Sequence, residues 1–322
     1  MVEPDAAPPA KLLLSPDQPI ALAAETAIAY AFDALRRQQP GAAAGEVEAV
    51  HQLRVATRRL RAAIQLFASV LHGTQTRIYN RDLPWVASAA GAVRNCDVMQ
   101  QLIRDRSPKL DPKLADALGP VFEALGDRRH DELRKLDEVL ESKRYAGLIA
   151  RLQKPALRKV SPGRRLGPAA ANLLKPIVRS VIRAGTKFDD GSAPEVVHRL
   201  RVRVKRVRYV LELLAALGGK RGKKARRRLA ELQDGLGSFN DVVLATQWLV
   251  AYGAAPGAPP QSVLAAGAMV QSLRARERKL GRRCVQMWRK LEGSGLLGDA
   301  LEEIRRNAKE AELAQPAAQS AA

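Results

Sequence analysis

Hydrophobic residues along most of the chain recur at intervals of three and four, the spacing that predicts amphipathic helices. Four such stretches, roughly 17–38, 46–71, 75–104 and 113–152, are followed by counterparts from Ala169 onward. The connections are short and rich in Pro, Gly or polar residues, which favours sequential antiparallel packing. The pattern therefore predicts an all-α protein.

One uncharged stretch, Val242–Leu273, is long enough to resemble a membrane span. Pro256, Pro259 and Pro260 interrupt it together with several glycines, so it is predicted to form two helices and a loop. No membrane partner is expected.

The chain opens with acidic residues and prolines, where a signal peptide would need basic and then apolar residues. Cys96 and Cys284 lie far apart, so they indicate neither a disulfide framework nor a paired-cysteine metal site. A cytoplasmic location is expected.

An internal repeat is the strongest pattern in the sequence. The segment VHQLRVATRRLRAAIQLF from Val50 matches VHRLRVRVKRVRYVLELL from Val197, at an offset of 147 residues. About 40 residues after each of these, GAVRNCDV from Gly91 is echoed by GSFNDVV from Gly237. We infer that the two halves of the chain arose by duplication.

The duplication sets the expected domain boundaries. A first half at 16–160 and a second half at 169–312 would form one domain, joined through the turn-rich segment Ser161–Pro168. The ends, 1–15 and 313–322, are Ala/Pro-rich and are expected to be flexible tails.

The repeated segments predict helices with one cationic and one apolar face. At about 100° per residue, offsets of 0, 3, 7 and 10 fall within about 80° of each other. Residues at these offsets form two cationic stripes: His51, Arg54, Arg58 and Arg61 in the first copy, and His198, Arg201, Lys205 and Arg208 in the second. Apolar residues of the first copy lie roughly 130° away and would face the core: Leu53, Leu60, Ile64 and Phe67.

Charge indicates the class of partner. The formal net charge is +21, and the segment 195–233 carries 13 Lys and Arg against three Glu. Such an excess favours a polyanion. The planar fork of Arg gives paired hydrogen bonds to phosphate oxygens, and two opposed stripes would approximate the charge spacing of a linear polyphosphate.

The two VH-LRV segments resemble the signature helices of CHAD domains, the conserved-histidine α-helical domains, and the GAVRNCDV and LQDGLGSFNDV segments resemble that family's second motif. The likeness covers roughly 17–306 and includes two correctly spaced copies of a two-part motif. It departs from the family at Asn95, where Asp is commoner, and at Phe239-Asn240 before Asp241. The Glu-x-Glu-x-Lys motif of the triphosphate tunnel domain that often precedes CHAD domains is incomplete at Glu46–Glu48, so a stand-alone CHAD protein is expected.

The resemblance implies two pseudo-symmetric antiparallel helical bundles around a central basic channel. It also implies binding of inorganic polyphosphate and association with polyphosphate granules in bacteria. Carried onto matching positions, the polyphosphate-binding residues are His51, Arg54, Arg58, Arg59, Arg61, His198, Arg201, Lys205, Arg206 and Arg208. Asn95, Asp97, Asn240 and Asp241 are expected to support these cations from behind.

Three other functions compete with this one. Nonspecific nucleic-acid binding is the main alternative, because any phosphate backbone attracts such a chain; Tyr209, however, is the one stacking aromatic on the basic face, and it has no counterpart at Ala62. A polyphosphate-processing enzyme is less favoured, because the sequence lacks a Gly-rich phosphate loop and has no clustered carboxylates beside either repeated histidine. A granule scaffold is compatible with polyphosphate binding. The sequence predicts no enzyme, metal or cofactor, and it leaves protein partners and oligomeric state open.

Overall fold

The computed structural model describes residues 12, 14–158 and 163–319, and the regular secondary structure of this part is helical. The predicted all-α fold is therefore confirmed. The helices are α1 (Ile20–Ala43), α2 (Val47–Leu66), α3 (Gly73–Arg106), α4 (Pro112–Asp116), α5 (Gly119–Glu141), α6 (Lys143–Gln153), α7 (Leu166–Gly185), α8 (Pro194–Leu213), α9 (Gly219–Gly253), α10 (Pro260–Gly293) and α11 (Leu296–Gln319), with a 3₁₀ turn at Ser107–Lys109.

The helix bounds repeat along the chain as the sequence does. Helix α8 begins and ends 147 residues after α2, and α9 follows α3 at nearly the same offset. Helices that follow each other in the chain pack together, as α1 with α2 and α7 with α8. The two copies also touch directly, α2 against α8 and α3 against α9.

The apolar face predicted for α2 is buried. Leu53, Leu60, Ile64 and Phe67 are at most 1% exposed. Complete burial of such a side chain is worth about 1.5–3 kcal/mol, so this face fixes the rotation of α2. The opposite, cationic face is thereby held outside the core.

The hydrophobic core is shared by both halves of the chain. The larger cluster includes residues from 14–152 and from 166–308. A smaller cluster joins α3 and α5 to α9 and α10, and it contains Cys96, Met99 and Met269. The first and second halves are thus packed into one another, and this packing brings α2 beside α8.

The prediction of one uninterrupted helix over 113–152 is wrong. The chain breaks after Asp116 and again at Ser142, where ψ is 145° and the backbone is extended. The Ser142 hydroxyl accepts a hydrogen bond from the Tyr145 amide, capping α6. Serine competes with the helix in this way, and apolar periodicity alone does not reveal the competition.

The uncharged stretch Val242–Leu273 forms two helices and a loop, as predicted. Helix α9 ends at Gly253, α10 begins at Pro260, and Gly257 has a φ of +83° between them. Within the residues that the structure describes, no helix has the length and apolar character needed to cross a membrane.

The predicted connections and tails fall partly outside the described residues. The residues outside the described part are 1–11, 13, 159–162 and 320–322. They include part of both predicted tails and part of the link Ser161–Pro168. Within the predicted N-terminal tail, Leu14 is buried in the core. Helix α11 extends through 313–319 of the predicted C-terminal tail.

Candidate functional site

The cationic faces of α2 and α8 border a common cavity of about 510 Å³. Helix α3 contributes Pro84, Ala87 and Ser88 to its wall, and α7 contributes Ser180. We call this space the basic cavity. Its basic side chains are Arg54, Arg58 and Arg61 from α2, and His198, Arg201, Arg203, Lys205 and Arg206 from α8.

Seven of the ten residues predicted from the sequence line the basic cavity. They are Arg54, Arg58, Arg61, His198, Arg201, Lys205 and Arg206. The structure thus brings three residues of each stripe together, although the stripes come from segments far apart in sequence. His51, Arg59 and Arg208 lie elsewhere.

The two repeated histidines have different surroundings. His51 is half-buried, and burial followed by the nearby Arg94 guanidinium lowers its pKa. His198 is exposed at the cavity, and its pKa is also lowered, first by desolvation and then by Arg201. A hydrogen bond with Asn240 acts on His198 in the opposite direction.

Arg59 and Arg208 line a second cavity of about 410 Å³, bounded by α1, α2, α8 and α9. Arg208 forms an ion pair with Glu212, and its Nε donates to Gln233 Oε1 over 2.9 Å. Its guanidinium also lies 4.4 Å from the centre of the Tyr209 ring. The Arg208 guanidinium is therefore already engaged in contacts within the protein.

The arginines and the lysine of the basic cavity form no direct ion pair with a carboxylate of the described residues. Across the described part of the chain, no ion pair involves any of them. Arg58 Nε donates to the Arg54 carbonyl oxygen over 3.2 Å, and Arg203 Nε donates to Ser180 Oγ over 3.0 Å. The Nε atoms of Arg201 and Arg206 are buried with no hydrogen-bond partner among the described residues. Neither guanidinium is therefore fixed through its Nε by a partner among these residues, as Arg208 is through Gln233.

These cations are close enough to perturb each other. Burial, followed by the charges of Arg58 and Arg201, lowers the pKa of Arg54 to about 10. Burial, followed by Arg201, Arg58 and Arg54, lowers the pKa of Lys205 to about 6. Because Arg54 and Arg58 belong to α2 while Arg201 and Lys205 belong to α8, the electrostatic fields of the two stripes overlap.

Asp241 of α9 is the acidic group that acts on this cluster. Burial raises its pKa, while Arg201, Lys205 and Arg54 act to lower it. Asp97, in the first copy of the second motif, is engaged elsewhere: Arg129 Nε donates to its Oδ1 over 2.6 Å. The support predicted for Asp241 thus fits its position, whereas Asp97 belongs to a different contact.

Sequence reasoning missed Arg203, which also lines the basic cavity. Its counterpart in the first copy is Ala56, so the comparison of repeats gave no signal there. It also missed Arg94, which follows GAV in the second motif and lies near His51. That position is Asn240 in the other copy, and the repeat again hides the cation.

The comparisons with known proteins agree with this fold. The model of the CHAD domain family matches residues 26–250. The chain is similar to the CHAD domain from the plant Ricinus communis, with a TM-score of 0.69 and 22% identity over 86% of this chain and 94% of that one. It is also similar to PptA from Streptomyces chartreusis, with a TM-score of 0.65 and 16% identity over 85% of this chain and 100% of that one.

Two uncharacterized proteins of Mycobacterium tuberculosis, from the CDC 1551 and H37Rv strains, are 26% identical over 254 residues. The match covers 74% of this chain and 46% of each relative, so the chain spans about half the length of these curated relatives. The family match extends over more than half of the chain and includes both signature helices and both copies of the second motif. The chain belongs to the CHAD domain family.

Proposed function

We propose that the chain binds inorganic polyphosphate in the basic cavity, without catalysing a reaction on it. The observation that carries the proposal is that six cations share one cavity and form no direct ion pair with a carboxylate of the described residues: Arg54, Arg58, Arg61, Arg201, Lys205 and Arg206. The CHAD domain family is associated with polyphosphate binding in general, and its domains are generally non-catalytic. Family and site therefore support the same ligand class.

A phosphate polymer suits the cavity on physical grounds. Every phosphate carries negative charge, so the polymer presents charge at each repeat without intervening sugars or bases. Arg offers forked donors to phosphate oxygens, and bonds between ionised partners are about twice as strong as neutral ones. Bound phosphate would also relieve the mutual repulsion of the clustered cations.

His198 belongs to the proposed site as a further donor at the cavity wall. Three further candidates lie outside the cavity: His51, Arg59 and Arg208. Only a polymer that extends beyond the cavity would reach them. Their neighbours differ from those of the cavity residues, so we expect them to contribute less to affinity. A cytoplasmic protein at polyphosphate granules is the cellular role that we infer from such a ligand.

Nucleic acid is the second candidate because the net charge of +21 would attract it. Single-stranded nucleic acid is usually held by stacking on exposed aromatic rings, and Tyr209 at the cavity is only 4% exposed. We therefore expect binding of nucleic acid to be weaker and secondary.

A competition titration tests the proposal. Labelled long-chain polyphosphate bound to the protein is displaced with unlabelled polyphosphate, single-stranded DNA or duplex DNA at matched phosphate concentrations, across a range of salt. Polyphosphate should compete at a phosphate concentration at least about tenfold lower than either DNA. Equal or better competition by DNA at every salt concentration would refute the proposal.

A further inference from the structure

We propose that Lys205 couples polyanion binding in the basic cavity to the uptake of a proton, so that the site binds more tightly as pH falls. This inference rests on the proposed function, because it concerns the same cavity. It adds that pH regulates the affinity of the site, which follows from the groups around the Lys205 side chain.

Lys205 lies half-buried in α8, at the wall of the basic cavity. The charged groups acting on it are Arg201 from its own helix, Arg54 and Arg58 from α2, and Asp241 from α9. Helices α3 and α7 contribute uncharged groups to the cavity near it, Pro84, Ala87, Ser88 and Ser180. Three guanidinium groups thus repel the charged form of Lys205, and one carboxylate attracts it.

His198, about two turns before Lys205 on α8, is another titratable group at the cavity. Lys205 is among the charges that lower its pKa. Proton uptake at the site therefore has further candidate acceptors, His198 and the Asp241 carboxylate, whose pKa is raised by burial. A test must separate them from Lys205.

The two copies of the signature helix differ at this position. The counterpart of Lys205 is Arg58, which lines the same cavity. A guanidinium stays charged throughout the neutral range, even at Arg54 with its pKa of about 10, whereas an ammonium can lose its proton there when it is desolvated among like charges. The second copy therefore carries a removable charge where the first carries a permanent one.

The sign of the coupling follows from these surroundings. Burial and the three arginines lower the pKa of Lys205 to about 6, so the amine is mostly neutral at pH 7 when the cavity holds no anion. Bound phosphate replaces repulsion with attraction and raises that pKa. Between pH 6 and the higher pKa that Lys205 has in the bound state, Lys205 takes up a proton when the polymer binds. The affinity therefore increases by at most about tenfold for each pH unit by which the pH falls. Below pH 6 the free amine is already charged, so this gain levels off.

The matched variants are Lys205→Arg and Lys205→Gln. The first keeps a positive charge that does not titrate, and the second is neutral at all pH values. Neither variant can take up a proton at this position. His198→Gln removes the competing acceptor and leaves Lys205 in place.

The experiment is calorimetric titration of each protein with long-chain inorganic polyphosphate near pH 7.5, in buffers that differ in ionisation enthalpy. Protons released or taken up by the polymer itself cancel between proteins, because the same polymer is used. Wild type should take up more protons per site than Lys205→Arg or Lys205→Gln, by up to about one, and His198→Gln should keep most of the wild-type uptake. The affinity of Lys205→Arg should change less between pH 8.5 and 6.5 than that of wild type.

Equal proton uptake and equal pH dependence in wild type, Lys205→Arg and Lys205→Gln would overturn the coupling while leaving polyphosphate binding intact. Loss of the uptake in His198→Gln alone would assign it to the histidine and would also overturn it. Absence of binding by wild type at every pH would instead refute the proposed function. Circular dichroism of each variant establishes that it is folded before titration.

Discussion

At the scale of single residues, the cations of the basic cavity are governed first by their burial and then by the repulsion among them. Arg54, Arg201 and Lys205 all have lowered pKa values, and burial is the largest cause for each. Asp241 opposes that repulsion from α9. With one carboxylate against several cations, the cluster retains a large excess of positive charge.

Asp241→Asn should leave the stability of the ligand-free protein nearly unchanged at neutral pH, or raise it slightly. The pKa of Asp241 is raised although Arg201, Lys205 and Arg54 act to lower it, so the burial of the ionised carboxylate outweighs its attraction to these cations. Denaturant unfolding at pH 7 measures the effect. A loss of about 1–3 kcal/mol would show instead that the Asp241 carboxylate holds the cluster together against its repulsion.

The lowered pKa of Lys205 also predicts how stability depends on pH. The unfolded chain holds the Lys205 proton up to about pH 10.5, whereas the folded chain releases it near pH 6. Between these values the unfolded state binds more protons, so this group makes the free energy of unfolding rise with pH. Denaturant titrations from pH 6.5 to 9 should give a steeper rise for wild type than for Lys205→Gln. Parallel slopes would contradict the lowered pKa.

Helical spacing predicted which cations share a face, but it could not identify the residues that pair with each cation. Arg61 and Arg208 are equivalent in sequence, yet Arg61 lines the basic cavity while Arg208 pairs with Glu212. The spacing of four residues between Arg208 and Glu212 was visible in the sequence and is typical of an ion pair along a helix. The contact between Arg208 and Gln233 of α9 depends on tertiary packing, which the sequence alone does not reveal.

At the scale of helices, the duplicated pair α2 and α8 followed from the sequence because an apolar and a cationic face repeat together. The breaks between α4, α5 and α6 did not. Helix α5 begins with Gly119 and Pro120, and a single capping serine decides where α6 begins. The approach of α2 to α8 was also only an expectation, since the distance between helices is set by the side chains packed between them.

A close helix contact predicts the effect of a small substitution. Helix α7 ends at Gly185, where an added Cβ would lie 1.7 Å from Trp288 Cζ2 of α10. Gly185→Ala should therefore destabilise the protein by about 1–3 kcal/mol through overpacking. Thermal or denaturant unfolding measures the change.

Gly267→Ala is the matched control within α10. An added Cβ there meets nothing within 4 Å, and alanine is favoured over glycine in a helix by about 0.5–1 kcal/mol. This variant should be neutral or slightly more stable. A similar loss in both variants would mean that Gly185 is not held against Trp288.

At the scale of the whole molecule, one shared core must withstand a net charge of +21. Self-repulsion of that size destabilises the compact state at low salt, and a bound polyanion removes part of it. Stability and ligand binding are therefore coupled across the whole protein.

Long-chain polyphosphate should raise the melting temperature of the protein. At a ligand concentration about 100 times Kd, binding to the folded state alone adds about 2.7 kcal/mol of stability. Differential scanning fluorimetry with increasing polyphosphate measures the shift. No shift at saturating polyphosphate would indicate that the folded protein does not bind it preferentially.

The most direct test of the central claim compares the affinity for polyphosphate of wild type with that of two double variants. Arg54→Glu with Arg201→Glu reverses one charge on each side of the basic cavity. Arg282→Glu with Arg289→Glu makes the same change in net charge at exposed positions of α10. Each lost charge-assisted contact costs about 1.5–3 kcal/mol, so the cavity variant should bind about 100-fold more weakly or worse, and the control should lose only a few-fold. Equal losses in the two variants, or none in the cavity variant, would contradict binding in the basic cavity.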